Sequence, residues 1–320
     1  MRVNKALISL FFVLLTTRCI KPASGLSLAD KPAKTTRTFP PTQLPSPTLT
    51  VTPVPRTPTP NPTATLVIPA FFDPAGCRKP PDDYAIVKVN GWQLDRRTLA
   101  MLEYAAELYH GKIDITQTAI TQGSYHDNGA ASFGTHLGGG AVDLAVIQLP
   151  EWKVLYDEIE RLVRALRVAG FAAWFRDFDE LYSGSPVHIH AIAIGDRQLS
   201  DAAIRQLTGR EGYFAGYSGL LSDGIPTPDR HGGPVLCDWM RKLGYADLRT
   251  TDQREVKADP AVLDLQKGQR VEYTVEPGDT LPAIAGRFLS TVQAIAQANG
   301  LKDLARLSIG QRLVVPVKIN

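Results

Sequence analysis

The chain has 320 residues, of which 44% are hydrophobic, 21% charged and 8% aromatic. This is the composition of a folded protein of about two domains at ~150 residues each, and it excludes a chain disordered throughout. A net charge of +3, from 35 Lys and Arg against 32 Asp and Glu, is too small to argue for a nucleic-acid partner. Three cysteines are too few for a disulfide scaffold and wrongly spaced for a zinc finger, and the odd number leaves one to act alone. Beyond the N-terminus no apolar run is long enough to span a membrane.

Residues 1–18 read as an export signal. Arg2 and Lys5 form a basic n-region, and Ala6 to Leu15 is an apolar run broken only by Ser9, long enough for an h-region and short for a transmembrane helix. Cys19 follows, and the arrangement resembles a bacterial lipoprotein signal. The resemblance implies acylation of Cys19 and a membrane tether. Arg18, Thr16 and Thr17 stand where such signals carry small and aliphatic residues, so cleavage near Ala23 or an uncleaved anchor stays open. Residues 20–70 are expected to form an extended stalk. Between Pro40 and Pro69 ten residues are Pro, eight are Thr and the only charge is Arg56. Repeated prolines fix φ and remove backbone donors, which predicts a polyproline-like rod reaching roughly 90 Å at ~3.1 Å per residue.

Residues 71–249 form the next unit. A strand and turn over "AIVKVNGWQL" precede a helix from Arg97 to His110, with Leu99, Leu102, Ala106 and Leu108 near helical spacing. Ile113 to Thr121 is predicted as a strand. Trp152, Leu155, Ile159, Leu162, Val163 and Leu166 make a helical stripe that stops at Gly170. Phe171–Phe175 and Val187–Ile194 read as buried strands. Helices and strands interleave without a βαβ rhythm, so the fold class expected is α+β, with a central antiparallel sheet and flanking helices.

Two segments of this unit carry chemistry. In "SFGTHLGGGAVDLAVIQL", His136 and Asp143 are seven apart with Gly138, Gly139 and Gly140 between them; in "SPVHIHAIAIG", His188 and His190 are two apart on an apolar strand. Alternate strand positions share a face, so the two imidazoles project side by side. Asp143 lies within "AVDLAV", where an isolated carboxylate costs several kcal/mol unless a cation or metal pairs it. On one continuous strand, His136 and Asp143 would face opposite ways. The glycines let the chain turn, and both side chains can then converge. A satisfied core histidine, and an aspartate capping a turn, are the bland readings of either segment alone. Together the segments make a zinc-type ligand set whose fourth position is open to water.

Ser132, His136, Gly139, Ala141 and Asp143, followed by His188-x-His190, resemble the motif pair of zinc peptidases that cut peptidoglycan stem peptides. These are the D-alanyl-D-alanine metallopeptidases and their lysostaphin-like relatives. The resemblance implies that His136, Asp143 and His190 hold Zn2+ and that His188 is the catalytic histidine. Some relatives place an acid three residues before the last ligand, where this chain has Val187. The general base is therefore sought first in His188, with Asp177 or Asp179 as outside candidates. The carboxypeptidases also carry an upstream arginine for the substrate carboxylate, and the corresponding stretch "TQGSY" offers Gln122. An endopeptidase cut thus stays open beside a carboxypeptidase one.

Other features look structural. His110 ends a helix, His126 and His231 lie in polar loops, and "GYFAGYSGLLSDG" is either a cleft wall or a surface loop. Cys77 and Cys237 bracket the unit and are expected to pair as a disulfide after export, the alternative being two inert thiols.

After a polar linker, residues 250–269, residues 270–318 carry a compact pattern. A strand at Val271–Val275, a turn at Gly278-Asp279-Thr280 with Thr280 as cap, two short amphipathic helices and a strand at Leu313–Val317 predict a βααβ unit. Tyr273-Thr274-Val275, Gly278-Asp279-Thr280-Leu281, Ile284-Ala285, Phe288, Asn299-x-Leu301, Leu307, Gly310-Gln311 and Pro316 resemble a LysM domain. That implies recognition of N-acetylglucosamine-containing glycan in a groove between Gly278–Leu281 and the stretch after Asn299. Gly278, Asp279, Thr280, Leu281, Asn299 and Leu301 are its candidate lining.

These expectations combine into an exported lipoprotein at the cell wall: a zinc metallopeptidase whose partners are peptidoglycan and, through its N-terminus, the membrane. The alternatives are a zinc-bearing wall-binding protein without hydrolysis, and a glycan-binding adhesin with an inert middle domain.

Overall fold

The computed structural model describes residues 66–127, 129–262 and 268–317. The export signal, Cys19 and all of the stalk before residue 66 lie outside these residues. None of the helices described is long and apolar enough to cross a membrane.

The chain opens with a hairpin, β1 (Ile86–Val89) and β2 (Trp92–Asp95), whose turn places Asn90 and Gly91 at positive φ. Asp95 ends β2 and caps α1 (Arg96–Tyr109), its Oδ1 accepting from the Thr98 amide at 2.6 Å. Met101, Leu102, Ala105 and Tyr109 form the buried face, whereas Leu99, Ala106 and Leu108 lie at its edge, a quarter turn from where their spacing placed the stripe.

The expected strand over Ile113–Thr121 shrinks to β3 (Ile120–Gln122). Asp114 is the reason: its carboxylate accepts from the Thr116 amide and hydroxyl and from the Thr118 amide, holding a turn that competes with extended pairing. β4 (Ala141–Ala145) follows the glycine turn, and a small ribbon, β5 (Ile147–Gln148) with β6 (Lys153–Val154), leads to α2 (Tyr156–Ala169). Trp152 is not part of this helix and lies exposed before it. Gly170 ends α2 at φ 113°, and a Cβ there would sit 2.9 Å from the Trp239 ring, so only glycine fits.

β7 (Phe171–Arg176) and β8 (His188–Ala193) complete a four-stranded antiparallel sheet of order β3-β4-β8-β7. Every residue of β7 and β8 is buried. Ile189, Ala191 and Ala193 face the core shared with α1 and α2. Ile192 and Ile194 face a second cluster, built from α3 (Asp201–Thr208), Tyr213, Phe214 and Trp239. A hairpin, β9 (Tyr217–Ser222) and β10 (Ile225–Pro228), and the short α4 (Asp238–Lys242) close that side. The middle unit is thus the α+β arrangement expected, with α1 and α2 on one face of the sheet and α3, α4 and the candidate site on the other.

The C-terminal unit is β11 (Arg270–Thr274), α5 (Leu281–Arg287), α6 (Val292–Asn299) and β12 (Arg312–Pro316), the two strands pairing antiparallel. Thr280 and Thr291 cap the helices, accepting from the amides of Ala283 and Ala294. Its core holds Tyr273, Leu281, Ile284, Phe288, Ile295 and Leu313. Residues from outside its sequence limits join this core: Val262 and Ala75 are buried in it, and Leu66 and Phe72 pack against it. The linker therefore ends in contact with the module, and the opening segment of the middle unit lies against it as well. Cys77 and Cys237, 160 residues apart, are joined by a disulfide.

Candidate metal centre

The turn carrying His136 is fixed by backbone geometry. Gly138 is held so close to the residue 198 backbone that a Cβ would lie 2.1 Å from the Gln198 carbonyl, and Gly140 takes φ 77° before β4 begins. The chain therefore enters β4 with Asp143 facing away from the α2 side. His136, in a single turn of 3-10 helix (Thr135–Leu137), points back over the same face.

Strand register supplies the rest. Asp143 pairs directly with His190, which pairs with Trp174 on the far side; Ala145, His188 and Arg176, two residues along, form the next row on the same face. His188 and His190 thus share the site face as their spacing predicted. One oxygen of Asp143 lies 3.3 Å from His136 Nε2 and the other 2.7 Å from His190 Nδ1. Ligand atoms of His136, Asp143 and His190 all fall within 4.8 Å of one another. His188 stands slightly apart, its Nε2 3.9 Å from Asp143.

The outward-facing ring nitrogens decide what the inward ones can do. His136 Nδ1 donates to the Gly123 carbonyl at 2.9 Å, and His188 Nδ1 donates to the Pro186 carbonyl at 2.8 Å. A carbonyl only accepts, so each ring carries its proton on Nδ1 and presents the Nε2 lone pair inward. His190 Nε2 faces Gln206 Oε1 at 3.1 Å, which leaves the Nδ1 lone pair toward Asp143. Neutral imidazoles so held oppose lone pairs to a carboxylate at hydrogen-bond distance. A proton or a cation between them resolves the conflict.

The proton affinities follow. Burial lowers that of His136, but the Asp143 carboxylate outweighs it and the imidazole is held above its ordinary value. Burial dominates at His190 and takes it below the ordinary value against the pull of Asp143. Burial would raise Asp143, yet the charges of His136 and His190 hold it well below the carboxylate range.

A cavity of about 30 Å³ lies over these groups, lined among others by Ser132, Arg176, His188 and Leu220. It has the size of one water or one ion. It adjoins an open cleft of about 350 Å³ that shares Phe133, Thr135, Leu181, Gln206 and Leu220 with it. The glycine- and tyrosine-rich loop therefore contributes a cleft wall through Gly219, Leu220 and Leu221.

The remaining candidates fall elsewhere. Asp177 and Asp179 sit in the turn after β7, accepting from the amides of Phe178 and Gly184, and neither lines the cavity. Val187 is buried. Gln122 lies opposite Asp143 in the sheet, and its Nε2 is buried without a hydrogen-bond partner. His231 pairs with Glu160 at 2.8 Å, away from the site.

Three participants escaped sequence reasoning. Gln206 on α3 and the Gly123 carbonyl hold His190 and His136, the two candidate ligand histidines, and no local motif marks either. Arg176 also reaches the cavity wall, its Nη2 donating to the Ser218 carbonyl at 2.6 Å and its Nη1 to Glu180 at 3.3 Å. Its place in the row of His188 could have been found only by knowing the strand register.

In the C-terminal unit, Asp279 is a structural residue: its carboxylate accepts from the Tyr273 hydroxyl at 2.6 Å and the Glu276 amide at 2.8 Å. Leu281 is core, and Asn299 ties α6 to β12 through Val314. Of the six candidate lining residues, Gly278, Thr280, Asn299 and Leu301 keep partial exposure.

Residues 273–316 match the LysM domain family. No curated protein and no solved structure matches the chain.

Proposed function

We propose that this chain is a cell-wall zinc peptidase that hydrolyses amide bonds of peptidoglycan peptides while its LysM domain holds it on wall glycan. LysM domains bind the N-acetylglucosamine-containing glycan of peptidoglycan, which supports a wall-associated, extracytoplasmic protein. The observation that carries the enzymatic part is the convergence of His136 Nε2, Asp143 and His190 Nδ1 beneath an open cleft. Two imidazoles and one carboxylate are a donor set suited to zinc, and the outward hydrogen bonds to Gly123 and Gln206 are the second-layer contacts that orient such ligands.

A Zn2+ held there would supply a Lewis acid and a water acidified toward neutrality. The chain's own residues do the remainder. Asp143 offsets the cation's charge. His188 presents Nε2 at the cavity wall with its tautomer fixed by Pro186, which suits it to take a proton or deliver one to a leaving amine. Ser132 Oγ, buried at the same wall with no hydrogen-bond partner, is available to a substrate carbonyl or amide. The Arg176 guanidinium adds positive charge on the far side. An N-terminal lipid on Cys19 would place this unit at the membrane face of the wall.

The second reading, a zinc-bearing wall binder without hydrolysis, draws on the acid groups near the cleft. Val187 supplies none, and Glu180 is held by both Arg176 and Arg230. Purified protein assayed for zinc content and for peptides released from peptidoglycan separates the two. Stoichiometric zinc with released peptides supports the peptidase; stoichiometric zinc without cleavage supports the binder; absence of zinc removes both.

A further inference from the structure

The expected glycan groove of the LysM domain is partly occupied by the chain itself. The segment before Cys77 crosses it. Asp73 N donates to the Ala305 carbonyl at 2.8 Å, beside a parallel bridge between Asp73 and Arg306. Ala75 N donates to the Asp279 carbonyl at 2.9 Å, and the Ala75 carbonyl accepts from Gly278 N at 2.8 Å. These partners belong to the two loops that border the groove: Gly278–Leu281 on one side and the stretch after Asn299 on the other.

The seat is tight. Ala75 is 1% exposed, within the module's own core, and a Cβ on Gly76 would lie 2.7 Å from Ile309 Cδ1. The segment is also fastened at its far end. Cys77 is bonded to Cys237, and Asp73 accepts from the Asp238 amide at 2.9 Å.

The chemistry of the occupant matches the ligand class. An N-acetyl group brings an amide donor, an amide acceptor and a methyl group. Ala75 brings an N–H, a carbonyl and a methyl, and all three are already engaged by the module. A saccharide seeking the same loop carbonyl and amide finds them satisfied, and must replace about two or three backbone hydrogen bonds to enter.

We propose that Asp73–Ala75 is an intramolecular occupant of the LysM groove, so that wall saccharide engages the module only by displacing it. This rests on the glycan-binding reading of the module. It makes glycan capture a competition in which the disulfide keeps the occupant close at high effective concentration.

The test uses the full chain and the tetramer of N-acetylglucosamine, followed by calorimetry and by amide hydrogen exchange over residues 72–76. Ala75→Glu places a carboxylate where the buried methyl sits and forces the segment out; Cys77→Ser with Cys237→Ser releases its far end. We expect at least tenfold tighter saccharide binding by either opened variant than by the wild type. In the wild type, saturating saccharide should speed exchange at the Ala75 amide at least tenfold. Equal affinity in wild type and variants, or saccharide binding with Ala75 still protected, overturns the displacement and leaves glycan recognition standing. Failure of the wild type and both folded variants to bind overturns the glycan reading itself. The exchange measurement on the wild type decides the matter even where a variant does not fold.

Discussion

Gln206 gives the sharpest test of the metal centre, because its Oε1 holds His190; since its side chain also lines the cavity and the cleft, zinc affinity and not turnover is the quantity to read. Its Oε1 accepts from His190 Nε2 at 3.1 Å, both groups being buried. Gln206→Met keeps length and volume but removes the acceptor, leaving a buried N–H unsatisfied. Such a loss costs about 1–3 kcal/mol, and His190 escapes it by turning its ring, which takes Nδ1 off the site. At ~1.4 kcal/mol per factor of ten, the same energy weakens zinc binding by roughly 5- to 150-fold, the span expected when a second-layer partner is lost. Competition against a chromophoric zinc chelator measures this directly. Gln206→Glu supplies an acceptor again and should restore affinity to within a few-fold of wild type. If Gln206→Met binds zinc as tightly as wild type while remaining folded, His190 is not oriented as argued and the ligand set must be redrawn.

His136→Ala and Asp143→Ala should lose zinc and peptide release together, since each removes one of three donor groups. His188→Ala should retain zinc and lose at least about a hundredfold in turnover, the contribution of a general acid or base; normal hydrolysis of wall peptides by this variant would end its assigned role. The Cys77–Cys237 bond closes a loop of 160 residues, for which the chain-entropy argument gives about 5 kcal/mol of stabilisation. Urea denaturation of the Cys77→Ala/Cys237→Ala variant should show a clearly lower midpoint, and an unchanged midpoint would mean the unfolded chain is already confined. Asp196 should make stability pH-dependent. Burial, then the charge of Asp95, push its carboxyl from 3.8 up to about 7. The folded protein thus holds a proton that the unfolded chain releases near pH 4, so this contribution is full below that pH and is lost as pH rises through 7. Asp196→Asn should flatten the fall in melting temperature between pH 5 and 8; an unchanged slope would show that Asp196 is ionised throughout.

Local pattern was enough for much of this protein. The apolar runs of β7 and β8, the stop at Gly170, the cap at Thr280 and the shared face of His188 and His190 all follow from neighbours a few residues away. Local pattern also says that Asp143, a carboxylate inside an apolar strand, demands a partner; the choice of His136 and His190 beside it comes from the resemblance to zinc peptidases. The strand expected over Ile113–Thr121 failed for an equally local reason, the Asp114 turn, which apolar patterning does not register. The buried face of α1 was misplaced because a helix turns its stripe toward whatever it meets, and α2 and the sheet are distant in sequence.

What tertiary structure alone decided is which groups meet. Register across β4, β8 and β7 set Asp143 against His190 and brought Arg176 beside His188. Gln206, the Gly123 carbonyl and the Pro186 carbonyl fixed ring protons that no spacing encodes. The segment around Ala75 reads as an ordinary connection after a proline-rich stretch, yet its backbone bonds to loops more than two hundred residues further on. Sequence carries propensity and periodicity, which are properties of neighbours. Ligand geometry and occupancy depend on distances between elements, and those exist only once the chain has closed on itself.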